Sequence, residues 1–296
     1  MFHVELLFHS TQISCWLSDY FYIQYKEKIF QVIKKIKMPK IIAVANQKGG
    51  VGKTTTSINL AAGLAWIHKK KVLLIDLDPQ SNASSGIGIT LKKENPSIYD
   101  VLLGSQSIEK VIMPTEIEGL SALPASPDLA GAEIELVPLK NREKRLFPIL
   151  NGAFKSYDFI IIDCPPSLGL LTLNALSIAN SVLIPMQCEY YALQGLRHLL
   201  KTLKLVKQSL NPALTVEGIL LTMYDGRTLL MAQVKDQILR YFKDYLLDTV
   251  IPRNIRLSEA PSYGKPVFLY ADQCKGADCY AELAKEIIEK NKYAEI

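Results

Sequence analysis

Lys48-Gly49-Gly50-Val51-Gly52-Lys53-Thr54-Thr55 decides how this chain is read. The apolar run Ile41-Ile42-Ala43-Val44-Ala45 precedes it, and a helix-like run from Thr56 to Ile67 follows. Strand, glycine loop and helix in that order are the setting a phosphate-binding loop needs. Glycines, having no Cβ, let backbone N–H groups turn inward on a polyphosphate. The following helix aims its positive end at the same place. Lys53 is placed to reach β- and γ-phosphates, and the Thr54 hydroxyl to help hold Mg²⁺. The loop departs from the general pattern twice. Its usual first glycine, six positions before the lysine, is replaced by Gln47, and a second lysine, Lys48, stands inside the loop. One lysine is enough to cradle one nucleotide. Lys48 therefore either has a separate task or is a solvated surface side chain.

Outward from the loop, β-rich apolar runs alternate with helical stretches. They are Ile41–Ala45, Val72–Ile75, Leu120–Leu123, Phe159–Ile162, Ser181–Pro185, Glu217–Thr222 and Leu247–Ile251. Several are continuously apolar, as strands covered on both faces are. The pattern predicts an α/β fold: a doubly wound, mostly parallel sheet with helices on both faces and right-handed crossovers. Ligands in such sheets sit at the carboxyl ends of the strands, where the glycine loop falls. No linker or low-complexity block divides the chain after residue 40, so residues 38–296 read as one domain.

Two acidic motifs end strands of that sheet: Leu74-Ile75-Asp76-Leu77-Asp78-Pro79-Gln80 and Phe159-Ile160-Ile161-Ile162-Asp163-Cys164-Pro165-Pro166-Ser167. A carboxylate after four apolar residues lies at the sheet's edge, beside the loop. Asp163 fits the role of a Mg²⁺ holder, directly or through water. Asp78 is placed to orient or deprotonate an attacking water. The competing reading for each is a cap on the next helix.

Composition sets wider limits. The chain has 296 residues, 49% apolar and 21% charged, the profile of an ordinary soluble globular protein. The net charge is +5, but residues 1–40 hold six lysines and three acids and so supply +3 of it. The rest is close to neutral, so global charge is weak support for a nucleic-acid partner and local patches must carry that reading. Five cysteines stand at 15, 164, 188, 274 and 279 with no C-x-x-C pair, which fits reduced thiols in a cytosolic chain. Cys274 and Cys279 form a weak metal candidate against incidental placement. No apolar run approaches bilayer length. The N-terminus lacks the basic region and cleavage site of a secretory signal.

Residues 1–37 are rich in aromatics and end in Ile33-Lys34-Lys35-Ile36-Lys37, without trustworthy strand or cap signals. Met38-Pro39-Lys40 then runs straight into the first strand. The break points to Met38 as the natural start, with the preceding residues an over-extended reading frame. An amphipathic helix over residues 25–37, at a membrane surface or a partner, is the alternative.

Six motifs in order make a family resemblance specific. They are Gln47 to Thr55; Asp76-Leu77-Asp78-Pro79-Gln80; Ile162-Asp163-Cys164-Pro165-Pro166-Ser167; Cys188-Glu189-Tyr190-Tyr191-Ala192-Leu193; Thr222-Met223-Tyr224-Asp225-Gly226-Arg227-Thr228; and Val250 to Pro261. From about Lys40 to its end the chain resembles the chromosomal ParA family, also called Soj. These are P-loop ATPases of the deviant Walker A type.

The resemblance implies weak, Mg²⁺-dependent ATP hydrolysis and an ATP-dependent homodimer that sandwiches two nucleotides. ATP would be held by Lys48, Gly49, Gly50, Val51, Gly52, Lys53, Thr54 and Thr55, with Pro252 and Asn254 where the family holds adenine. Lys48 matches the lysine that reaches the partner's nucleotide. Such a cation, delivered in trans, neutralises charge developing in phosphoryl transfer. Asp78 matches the hydrolysis-critical aspartate, and Thr54 and Asp163 the Mg²⁺ site, so Lys48, Lys53 and Asp78 form the implied catalytic set. The family's ATP dimer binds DNA without sequence preference, and a ParB-type centromere-binding protein stimulates its hydrolysis. Arg227 matches a DNA-contact arginine, and Arg253 and Arg256 lie in a second basic motif, although either could instead pair with Glu259. The implied place is the cytoplasm, on the nucleoid, in chromosome or plasmid partition.

Three rivals stay open: a MinD-like membrane-switching ATPase, a metal-cluster carrier ATPase, and a DNA-binding regulator for which ATP is only a conformational ligand. Against the first, the tail Ala281–Lys290 has balanced charge rather than a basic amphipathic character, so it is expected to pack on the body. Arg197, Lys201, Lys204 and Lys207 recur at helical spacing with no acid from Arg197 to Asn211. That stripe reads equally as an extension of a DNA surface or as a solvated helix face.

Overall fold

The computed structural model describes residues 38–147 and 156–292. Both readings of residues 1–37 fall outside those residues. The strands are β1 (Lys40–Val44), β2 (Val72–Asp76), β3 (Met113–Pro114), β4 (Leu120–Leu123), β5 (Phe159–Asp163), β6 (Ser181–Met186), β7 (Thr215–Tyr224) and β8 (Leu246–Pro252). Among the described residues they form one eight-stranded sheet in the order β3-β4-β2-β5-β1-β6-β7-β8. All neighbours are parallel except β3 and β4. Every residue of β2, β5 and β6 is buried, which is why these strands lack polar alternation.

Register is what builds the site. Val44 lies opposite Asp163 across β1 and β5, and Asp76 lies opposite Asp163 across β2 and β5. Three strands thus end level, and the chain leaves β1 as the glycine loop at that level. This is the switch point of the sheet: the chain goes from β1 to β2 on one side and from β6 through β8 on the other.

Residues of β1 alternate between two cores. Ile41 and Ala43 face one, and Ile42 and Val44 the other. The first core is covered by helices α3 (Ile98–Leu103), α4 (Leu129–Glu135), α5 (Leu170–Ile178), α6 (Ala192–Ser209) and α7 (Leu229–Phe242). The second is covered by α1 (Lys53–Ala62), α2 (Asn82–Ser85), α8 (Ile255–Glu259), α9 (Val267–Tyr270) and α10 (Lys275–Lys292). Leu196, Leu199, Leu203 and Val206 anchor α6, each burial contributing about 1.5–3 kcal/mol. That anchorage holds α6 down whatever its outer face carries.

The apolar face of α10 is buried through Tyr280, Leu283, Ala284 and Ile287. Its Glu286 carboxylate accepts the N–H groups of Asp248 (2.9 Å) and Thr249 (3.0 Å), which blunts the exposed edge of β8. The tail helix is therefore a structural part of the body. The strand β3 has no counterpart in the sequence reading. It is two exposed residues long and contains a proline, tolerated because it sits at the sheet's edge.

Candidate active site

The loop between β1 and α1 is shaped by two glycines in the left-handed region, Gly50 (φ 72°) and Gly52 (φ 87°). Gly52 caps α1, its carbonyl accepting the Thr56 N–H at 2.9 Å. A Cβ built on Gly49 or Gly50 would meet nothing within 4 Å, so both backbones face open space of the kind a phosphate fills. The ends of β6 and β7 brace the loop. Thr222 Oγ1 donates to the Val51 carbonyl (2.8 Å), and Gln187 Nε2 to the Gly50 carbonyl (3.3 Å). Asn46 accepts from Lys48 N (3.1 Å) while donating to the Pro185 carbonyl (2.7 Å).

Inside this cradle Lys53 is buried, and its Nζ donates to the Lys48 carbonyl at 3.1 Å. Burial pushes its pKa down, and the charges of Asp163 and Asp78 oppose that shift. Asp163 is fully buried and accepts from Thr54 Oγ1 (2.8 Å) and Ser57 Oγ (2.7 Å). Burial raises its pKa, and the neighbouring Asp76 charge adds to the rise. Asp76 is raised by burial too, against hydrogen bonds from Ser84 N (2.8 Å), Ser84 Oγ (2.7 Å) and Asp78 N (3.1 Å). Two buried carboxylates on facing strands disfavour ionising together. The oxygen-only set of Thr54 and Asp163 suits a hard cation such as Mg²⁺.

The helix-cap alternative holds for neither of the two sequence-assigned acids among the described residues. Asp163 binds side-chain hydroxyls of α1 and caps nothing. Among the described residues the Asp78 side chain accepts one hydrogen bond, from the Gln80 N–H (3.0 Å) to Oδ1. It is Asp76, which the sequence reading left without a role, that ties β2 to α2 through Ser84.

Lys48 points elsewhere. Its ammonium pairs with Glu189 Oε2 in the turn after β6, both side chains about half exposed. On the far side of the loop, a cavity is lined by Gly52, Thr55, Pro252, Asn254, Leu257 and Tyr280. Asn254 also caps α8, accepting from Arg256 N at 2.8 Å. The structure thus places both expected adenine-side residues beside Thr55 and the loop.

The three expected DNA arginines lie past the same strand ends. Arg227 grips Asp225 through Nε (2.8 Å) and Nη2 (2.6 Å), and this holds the Asp225 carboxyl down to about 2. Arg253 is exposed, and its charge also lowers Asp225. Arg256 pairs with Glu259 (2.8 Å), which accepts from Tyr270 OH as well (3.0 Å). Of the two arginines that could have paired with Glu259, Arg256 is the one that does. Among the described residues no group of three His, Cys, Asp or Glu could hold a metal, and no helix is long and apolar enough to cross a membrane.

A family profile described as an AAA domain matches residues 39–216. The sporulation initiation inhibitor protein Soj of Bacillus subtilis is 56% identical over 84% of this chain and 98% of its own length. The chromosome partitioning protein ParA of Myxococcus xanthus is 54% identical over 85% of this chain and 89% of its own. The chain belongs to the Soj/ParA family of chromosome-partitioning ATPases. Among solved structures, a Mycobacterium smegmatis protein described as cobyrinic acid a,c-diamide synthase, with bound ATP analogue and magnesium, is 38% identical. That likeness covers 86% of this chain and 96% of that one, with a TM-score of 0.73.

In this ParA-family ATPase the sequence reading missed three contributors. Ser57 gave a weak signal: it stands one turn after Lys53 on α1 and so faces the same strand end. Gln187 gave none, and Glu189 stood in a family-like motif without a role, because only the fold brings the turn after β6 against the loop after β1.

Proposed function

We propose that this chain is a dimerising, weakly active ATPase of DNA partition that binds DNA non-specifically in its ATP state and is stimulated by a ParB-type partner. The observation that carries this reading is the division of labour between two loop lysines. Lys53 lies inside its own cradle, whereas the Lys48 ammonium lies outside it, on the surface. A cation outside its own cradle is what a two-fold assembly needs if each copy is to neutralise charge on the other's phosphates.

In this reading Lys48 to Thr55 hold the triphosphate of ATP, and Pro252 and Asn254 flank the base. Mg²⁺ would be held by Thr54 and Asp163 and would supply charge neutralisation on the phosphoryl oxygens. Asp78 holds a proton-accepting carboxylate outside the Thr54–Ser57–Asp163 set, positioned for a water rather than for the metal. Arg227, Arg253 and Arg256 would meet DNA phosphates. The deciding measurement is phosphate release with DNA and the ParB-type partner, alone and together. Stimulation by both supports the reading. A flat rate with intact ATP-dependent DNA binding favours the regulator reading. ATP-dependent flotation with liposomes, without DNA binding, favours the MinD-like one.

Two predictions arise here. Arg227→Glu places a second acid beside Asp225, and DNA affinity is expected to fall at least tenfold on every sequence, with ATP-dependent dimers retained. Gel-shift titration on several unrelated duplexes checks this, and a loss confined to some sequences contradicts a phosphate contact. Lys48 must also leave Glu189 before it can serve a partner's nucleotide. Glu189→Gln is therefore expected to lower, a few-fold, the protein concentration at which ATP-dependent dimers form, since exposed pairs are weak. Sedimentation with a non-cleavable ATP analogue reads the shift, which should shrink as salt rises.

A further inference from the structure

We propose that the outer face of α6 is a second DNA contact, on which Arg197, Lys201, Lys204 and Lys207 meet backbone phosphates of the duplex. The inference rests on the DNA-binding reading above and extends it to a helix outside the two motifs that carry the three arginines.

All four cations are exposed. Among the described residues none of them takes part in an ion pair, and no acid lies between Arg197 and Asn211. Two of the three arginines past β7 and β8 differ in this respect. Arg227 is bound to Asp225 and Arg256 to Glu259, so each delivers little net charge until it gives up its partner. Among the described residues the α6 stripe has no ion pair to break before it can meet an anion.

The geometry matches a repeating anion. Ten residues of helix separate Arg197 from Lys207, a rise of about 15 Å. The two strands of a duplex together present a charge about every 1.7 Å of axis, so a cationic row of that length lies within reach of several phosphates. At the head of the stripe Tyr190 and Tyr191 are 75% and 73% exposed and line one groove with Arg197, Lys201 and Lys204. Their hydroxyls are donors of the kind that meet phosphate oxygens. The helix tolerates this outer face because its inner face is locked into the core by Leu196, Leu199, Leu203 and Val206.

The test is duplex binding by the full chain with a non-cleavable ATP analogue, over a series of salt concentrations, for wild type and the variant R197Q/K201Q/K204Q/K207Q. The slope of log affinity against log salt is expected to lose about 3–4 per protomer, at about 0.9 per phosphate contact, with affinity down at least tenfold near 0.1 M salt. A companion variant exchanging Arg and Lys at the same four positions is expected to keep the wild-type slope. Analogue-dependent dimers, read by sedimentation, confirm that each variant is folded. An unchanged slope in a dimer-forming glutamine variant overturns the proposal. So does an intact slope with loss of stimulation by the ParB-type partner, which would assign the face to an acidic segment of that partner. Absence of analogue-dependent duplex binding by the wild type would instead overturn the DNA reading itself.

Discussion

Lys53→Ala is expected to abolish nucleotide binding, with ATP affinity falling about a thousandfold. Among the described residues Lys53 is the buried cation of the cradle, and its ammonium already sits among the backbone groups of the loop, 3.1 Å from the Lys48 carbonyl. A charge-assisted hydrogen bond contributes about 1.5–3 kcal/mol, and this ammonium would serve two phosphates. Three or more kcal/mol corresponds to at least a hundredfold, and the exclusion of water from the cradle takes it further. Truncation also leaves Asp163 and Asp78 without the cation that now faces them, which makes an incoming polyanion still less welcome. Titration calorimetry with ATP and Mg²⁺ checks the loss, and thermal melting of the nucleotide-free protein shows whether the fold survives. Lys53→Arg is expected to fail as well, because a planar fork does not fit a space shaped for a point charge. Normal ATP affinity in folded Lys53→Ala would refute the loop assignment.

Much of this was legible in the residues because each feature is local. Gly50 and Gly52 occupy backbone conformations that other residues rarely adopt, so the loop announces itself in one dimension. The buried runs of β2, β5 and β6 read as strands because nothing polar interrupts them. Asp163 was readable because four apolar residues carry it to the sheet's end. The features that stayed hidden are pairings between distant segments. Nothing near Lys48 indicates Glu189, 141 residues away, and nothing near Asp163 says that Ser57 is its second hydrogen-bond donor. Short elements with weak propensity stayed hidden too, as the proline-containing β3 shows. The exposed stripe on α6 lies between these cases. Its charges were plain in the sequence, but that Arg227 and Arg256 are partnered while the stripe is not required the fold.

Asp78→Ala is expected to keep ATP binding and dimers while turnover falls at least a hundredfold. The two effects separate because the acids divide their partners. Asp163 takes the hydroxyls of Thr54 and Ser57, and Asp76 takes Ser84, so the metal-side and fold-side contacts survive removal of Asp78. What is lost is a carboxylate whose one side-chain bond among the described residues is from Gln80 N, 3.0 Å away, to Oδ1, with no described donor on Oδ2. A positioned proton acceptor contributes about 10²–10⁴ to rate, which sets the size of the effect. Binding is not expected to weaken. The lost charge lies near Lys53, and removing one acid from that neighbourhood lessens repulsion of the triphosphate. Single-turnover phosphate release measures the chemistry, and sedimentation with ATP itself, rather than an analogue, measures the trapped dimer. Asp78→Asn keeps the shape and removes the charge, so equal loss in both variants places the function in the carboxylate. Undiminished release in either variant would show that another group handles the water. Loss of ATP binding would instead mean that Asp78 belongs to the nucleotide site.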